Sequence, residues 1–276
     1  MFQTVTANLK TESPMKNKLS IFVVAHKESP RFTDDKNFYL LGVGKNSHSI
    51  GADYTDDTGL NIASKNPNYC ELTGQYWIWK NVDAEIVGLM HYRRYFYHAF
   101  SLKKTLVPYT SKELLRFFHK YDVLLPKKVS VHSFSFKKLR FFSKNYYDYY
   151  AKCGGKTIDI DTTRQAIQKL YPEYLKAYDK VVFSNSLIHY GNVIVTKKEI
   201  YDQYSNFLFN TLSEVEKNLD LSDHNPYQAR VFGFMSETLM DTFFLTHSEF
   251  HIKELPLCNS DYSRRKNFYH FLRHWA

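Results

Sequence analysis

The chain has 276 residues, 43% of them hydrophobic, and a formal net charge of +9. That length holds one large α/β domain or two small ones with an ample core, and the positive balance favours polyanionic company, either a nucleotide diphosphate or anionic lipid. No apolar run of about 18 residues occurs, the opening MFQTVTANLKTESPMKNK lacks the apolar centre of a signal peptide, and no RNP-like string, zinc-finger spacing or helix-turn-helix signal speaks for nucleic acid. A cytosolic protein without a nucleic-acid partner is expected. Cys70, Cys153 and Cys258 stand far apart without metal-ligand spacing, which predicts reduced structural thiols.

In chain order, LSIFVVA (residues 19–25) reads as a first strand ending at His26 and Lys27, and residues 39–43 as a second. A polar loop over 45–58 carries Asp53, Asp56 and Asp57. A helix is expected from Asn68, with Glu71 in capping-box spacing and Leu72, Tyr76 and Trp79 at i, i+4 and i+7. The run IVGLM (86–90) is short enough to be a buried strand, and it delivers His91, Tyr92, Arg93 and Arg94 to its C-terminal end. Residues 111–120 form a capped helix, DVLLP (122–126) a buried strand, and 161–180 a helix interrupted by Pro172. HYGNVIV (189–195) reads as a strand, followed by helices over 198–219 and 226–245. Strands alternating with helices predict a mostly parallel sheet covered on both faces, a Rossmann-like α/β fold.

Ligands of open α/β sheets bind beyond the C-terminal strand ends. Adjacent guanidiniums there suit a diphosphate through paired, charge-assisted hydrogen bonds, although Arg93 and Arg94 also fit the plainer role of surface ion-pair formers. Asp159 and Asp161 make an Asp-x-Asp pair, with Asp161 placed as the N-cap of the following helix and magnesium coordination as the alternative. Two stretches, 134–152 and 262–275, interleave Lys and Arg with aromatics; each suits an interfacial helix on anionic lipid or an ordinary amphipathic helix packed on the domain.

The string ELTGQYWIWKNVDAEIVGLMHYRRYF (71–96) resembles the signature of a family of capsular and exopolysaccharide biosynthesis glycosyltransferases, long catalogued as a domain of unknown function. The resemblance extends through IFVVAHK (21–27), YLLGVG (39–44), D-x-G-x-NIASKNPNYCELT (57–73), HYGNVIV (189–195) and RVFGFMSE (230–237), covering most of residues 19–246. It implies a GT-A-like glycosyltransferase domain over 19–250, with acceptor-side additions over 101–180, an N-terminal extension over 1–18 and a basic aromatic tail over 251–276. The implied reaction moves a hexosyl unit, galactosyl or galactofuranosyl, from a UDP-sugar to a lipid-linked oligosaccharide in capsule, exopolysaccharide or O-antigen synthesis. The place implied is the inner face of the plasma membrane, through peripheral contact with anionic lipid. A non-catalytic carbohydrate- or lipid-binding module descended from a transferase is the alternative.

By the order of elements, His91, Arg93 and Arg94 stand where related nucleotide-sugar transferases carry their metal-binding carboxylates, so chemistry without metal or other cofactor is expected, with Mg²⁺ or Mn²⁺ as the alternative. The expected donor contacts are His26, Lys27, His91, Tyr92, Arg93, Arg94, Asn192 and Arg230, joined through the resemblance by Asp57, Asn61, Lys65 and Asn66. Glu237 is the expected base for the acceptor hydroxyl, its ionisation favoured by a helix N-terminus and Arg230 and opposed by burial, with Glu71 and Asp83 as alternates.

Overall fold

The structure is a computed structural model describing residues 17–100, 106–131, 134–135, 140–141, 144–263 and 265–267. Its frame is a seven-stranded sheet of β1 (Asn17–Ala25), β2 (Phe38–Gly42), β3 (Tyr54–Thr55), β4 (Ala84–His91), β5 (Val123–Pro126), β6 (Ile194–Lys197) and β7 (Ile252–Leu255). The spatial order is β7-β5-β6-β4-β1-β2-β3. β6 runs antiparallel to both neighbours, and the remaining pairs are parallel. One reversed strand has a functional consequence: the N-terminal end of β6 lies at the same edge as the C-terminal ends of β1 and β4.

The β1 segment is apolar and β-branched because both its faces are covered, and Ile21, Phe22 and Ala25 are fully buried. One face carries α1 (Asn66–Tyr69), α2 (Leu72–Asn81), α7 (Lys198–Asn218) and α8 (Val231–Thr246); the other carries α3 (Ser111–Phe117) and the Tyr95–Ala99 segment. α2 approaches the sheet closely at Gly74, where a Cβ would sit 3.0 Å from Val24 Cγ2. α4 (Tyr146–Lys152), α5 (Thr157–Leu170) and α6 (Leu175–Asp179) complete the helical layer. Tyr174 stacks on Phe207 at 4.5 Å between ring centroids, and Phe243 packs on both, so aromatic rings fill much of this face.

Several elements differ from the sequence expectation. The helix expected from Asn68 is two helices, α1 and α2, broken at Cys70, whose φ of 52° ends the first. Asp161 is not an N-cap. α5 starts four residues earlier, and it is Asp159 that is buried, accepting from Tyr150 Oη at 2.7 Å and paired with His224 Nε2 at 2.9 Å. HYGNVIV is not one strand: residues 189–193 form a turn with Gly191 (φ 91°) and Asn192 (φ 51°), because a Gly-Asn pair turns more readily than it extends. Ile252–Leu255 pairs with β5 as the edge strand of the sheet, so the first residues of the expected tail belong to the core fold. In the aromatic stretch over 134–152, Tyr146 and Tyr150 are buried, which is the packed-helix alternative for that end of it. Arg264 and residues 268–276 lie outside the described residues. All three cysteines are free, and no helix among the described residues is long and apolar enough to cross a membrane.

A buried ion pair fixes the 189–193 turn. Asp241 of α8 accepts from the backbone N–H of His189 at 2.9 Å and holds its ring Nδ1 at 2.6 Å, with Glu254 on Nε2 at 3.2 Å and Lys128 3.4 Å from Asp241. Burial opposes ionisation of both partners, but their mutual charge and hydrogen bonds outweigh it, raising the His189 pKa and lowering that of Asp241. The raised histidine contributes its stability in full below its ordinary pKa and loses it as pH rises through the folded value. The lowered aspartate contributes above its ordinary pKa and loses it in acid, so the pair is fully effective between about pH 4 and 6.5. Asp241→Ala leaves the buried His189 imidazolium with only the longer contact to Glu254 and is expected to cost about 3–5 kcal/mol in that window, measured by denaturant unfolding. A loss below 1 kcal/mol at pH 5.5 would show that the pair does not hold the turn.

Candidate functional site

The site lies at the edge where β1, β4 and the start of β6 end together. β1 delivers His26 and Lys27, β4 delivers His91 and the Tyr92-Arg93-Arg94 turn, and the 189–193 turn delivers Tyr190, Gly191 and Asn192. Helix α8 supplies Arg230 at its N-cap and Glu237 in its second turn. Glu71, at the start of α2, stands among them.

Tyr92 organises the cations on the β1 side. Its ring lies 5.5 Å from that of His26, edge to face, with Lys27 Nζ and the Arg93 guanidinium each 5.7 Å from its centre. Burial and the neighbouring charges of Lys27, Arg93 and Arg230 lower the His26 pKa, favouring the neutral imidazole, against the opposing charge of Glu71. Arg93 pairs with Asp261 at 3.0 Å, a half-exposed contact of small worth. Arg94 Nη2 donates to Tyr190 Oη at 3.0 Å, its guanidinium 4.6 Å from that ring. Gly191 suits this turn because its φ is left-handed, and a Cβ there would press on Arg94 Nη1 at 3.2 Å, so a larger residue would displace the guanidinium.

Two carboxyl groups face each other across this turn. Glu237 Oε1 accepts from the Gly191 N–H at 2.8 Å, and Asn192 Nδ2 donates to Glu71 Oε1 at 2.8 Å and to the Gly233 carbonyl at 3.2 Å. Burial raises the Glu237 pKa to about 8; the Gly191 amide and Arg94 oppose the shift, while the charges of Glu71 and Asp241 add to it. Arg94, and not the expected Arg230, is therefore the guanidinium that acts on Glu237. Arg230 instead donates from Nε to Cys70 Sγ at 3.2 Å and lies 5.6 Å from the Phe234 ring. His91 is held neutral, its pKa lowered by burial to about 4 against the pull of Glu71.

The expected site residues thus divide. His26, Lys27, His91, Tyr92, Arg93, Arg94, Asn192, Arg230 and Glu237 share one edge of the sheet. Four others spend their side chains on local structure. Asp57 pairs with His48 at 2.6 Å, and Asn61 Nδ2 donates to the carbonyls of Asp57 and Gly59. Lys65 pairs with Glu216 of α7, and Asn66 Nδ2 donates to the Cys70 carbonyl and to Thr73 Oγ1, supporting the α1–α2 break. The alternate base Asp83 lies in the turn before β4, at the opposite edge of the sheet. Residues that composition and spacing did not single out include Tyr190, Gly191 and Asp241. The turn chemistry of Gly191-Asn192 was the available signal.

A family model described as a domain of unknown function, DUF4422, matches residues 20–248. Among solved structures, the apo structure of WbbM, a bifunctional glycosyltransferase, superposes with a TM-score of 0.74 at 32% identity, over 89% of this chain and 46% of that one. The chain therefore spans about half the length of that protein. None of the curated proteins matches. The sheet order, the helices on both faces and this superposition agree on a Rossmann-like glycosyltransferase fold. On the match over residues 20–248, the chain is a member of the DUF4422 family.

Proposed function

We propose that the chain is a glycosyltransferase that moves a hexosyl unit from a nucleotide-sugar donor to a glycan acceptor. The observation that carries this reading is the pairing, at one sheet edge, of a cationic rim (Lys27, Arg93, Arg94, Arg230) with the buried carboxyl of Glu237 held by the Gly191 amide. A leaving diphosphate needs fixed positive charge, and an attacking hydroxyl needs a proton acceptor beside it. The likeness to a bifunctional glycosyltransferase at 32% identity supports the same class.

In finer detail, the donor is a UDP-sugar, with galactosyl or galactofuranosyl favoured, and the acceptor a lipid-linked oligosaccharide of capsule, exopolysaccharide or O-antigen synthesis. The enzyme meets that acceptor as a cytoplasmic protein on the inner membrane face. The net charge of +9 and the basic aromatic stretch over 262–275 support contact with anionic lipid. Diphosphate neutralisation falls to Arg93 and Arg94 without a metal ion, and Asp159, committed to Tyr150 and His224, does not bear on it.

Donor binding is tested by thermal unfolding with UDP. At a hundredfold excess over Kd, UDP is expected to stabilise the fold by about 2.7 kcal/mol. A carbohydrate-binding module derived from a transferase would leave the transition unmoved by UDP and shift it with free glycan.

A further inference from the structure

Cys70 (φ 52°) and Asn192 (φ 51°) are the non-glycine residues with left-handed backbone among the described residues. They are far apart in sequence, yet both serve one carboxylate. The break at Cys70 sets Glu71 at the head of α2, and Asn192, 1% exposed, turns its amide onto Glu71 Oε1 at 2.8 Å. Strained backbone of this kind persists where surrounding structure over-determines it, and it clusters at ligand sites.

Two buried polar atoms beside Glu71 have no partner: Asn192 Oδ1 and His91 Nε2. Leaving a buried polar atom without a hydrogen bond is costly, so each calls for an explanation. His91 is neutral, and its unpartnered Nε2 accepts or donates one hydrogen bond according to the tautomer. Asn192 Oδ1 and the Glu71 carboxylate only accept. The two acceptors match hydroxyl donors and repel phosphate oxygens, and the His91 nitrogen complements a second hydroxyl in either tautomer, since a hydroxyl both donates and accepts. A divalent cation would also satisfy acceptors, but Arg93, Arg94 and Arg230 around them oppose a second positive charge.

We propose that Glu71, Asn192 and His91 form a hydroxyl-recognition subsite that takes a vicinal diol of a sugar, set inside the cationic rim that takes the diphosphate. This rests on the glycosyltransferase reading above. The diol belongs either to the donor hexose or to the acceptor's terminal residue, and the two sources separate by experiment. The rim fixes the diphosphate, while the subsite fixes which hydroxyl pair lies beside Glu237.

The test uses Glu71→Gln, which keeps shape but replaces one acceptor by a donor, and Asn192→Gly, which relieves the left-handed backbone while removing the clamp. UDP and UDP-galactose are titrated calorimetrically, and UDP-galactose hydrolysis and transfer to a panel of p-nitrophenyl hexosides are followed by UDP release. Both variants are expected to bind UDP within about threefold of wild type. If the diol is the donor's, UDP-galactose affinity and hydrolysis kcat/KM fall at least tenfold. If it is the acceptor's, hydrolysis is retained and the acceptor KM rises at least tenfold. Variants that match wild type on both arms overturn the subsite alone, as does a wild-type chain that binds Mn²⁺ there with loss of binding in Glu71→Gln. A wild-type chain that neither binds UDP nor hydrolyses UDP-galactose or another UDP-hexose overturns the glycosyltransferase reading and the subsite with it.

Discussion

Glu237→Gln is expected to reduce transfer about 10²–10⁴-fold at pH 8, the usual contribution of a positioned general base, with UDP affinity unchanged. The substitution keeps size and the hydrogen bond from Gly191, so the donor side is undisturbed. In the wild type the carboxyl holds its proton up to about pH 8, and transfer kcat/KM should therefore rise with pH and level off above that value. The variant should lack this limb. A second readout separates chemistry from structure. Because the folded pKa lies above the unfolded one, the folded state binds a proton that the unfolded state has released between about pH 4.5 and 8, and stability falls as pH rises through that window. Glu237→Gln removes that loss, so it should be more stable than wild type at pH 9 and similar at pH 5. A variant that keeps wild-type transfer, or loses UDP binding in step with transfer, takes the base assignment away from Glu237.

Arg94→Ala is the second large effect. If its guanidinium receives the leaving diphosphate, transfer falls about 10²–10³-fold, equivalent to about 2.7–4 kcal/mol of lost transition-state stabilisation. Lys should restore little, because it lacks the planar fork. Arg94 also packs on Tyr190, so Tyr190→Phe is the control: it removes the 3.0 Å hydrogen bond and keeps the ring. A Tyr190→Phe defect as deep as that of Arg94→Ala would place Arg94 in a packing role. Arg93, half-exposed and paired with Asp261, should show a smaller loss.

The sheet was legible because its buried strands are unbroken apolar runs: IFVVA and IVGLM contain no residue that suits solvent. The placement of HYRR followed from a strand boundary, which periodicity finds easily. The break at Cys70 was not legible in the same way, since it depends on left-handed backbone at a non-glycine residue that tertiary contacts impose, whereas the turn at Gly191-Asn192 carried a local signal that the following apolar run masked. The capping-box spacing of Asn68 and Glu71 was present, but Asn68 Nδ2 instead donates to the Ala229 carbonyl and ties α1 to the start of α8. Asp159 shows the same limit. Local spacing offered Asp161 as a cap, whereas burial against Tyr150 and His224 decided which aspartate does structural work. Charge effects were read in kind but not in partner: the guanidinium beside Glu237 comes from β4, a long-range pairing that sequence distance conceals.

Donor turnover tests the central claim most directly. The purified chain is incubated with a panel of UDP-hexoses, UDP-galactose and UDP-galactofuranose included, with EDTA and with added Mn²⁺, and released UDP is measured. Release of UDP from a subset of donors, undiminished by EDTA, is the expected result. A folded chain that releases no UDP from any donor in either condition would contradict the glycosyltransferase account, and turnover abolished by EDTA and restored by Mn²⁺ would contradict its metal-free diphosphate site.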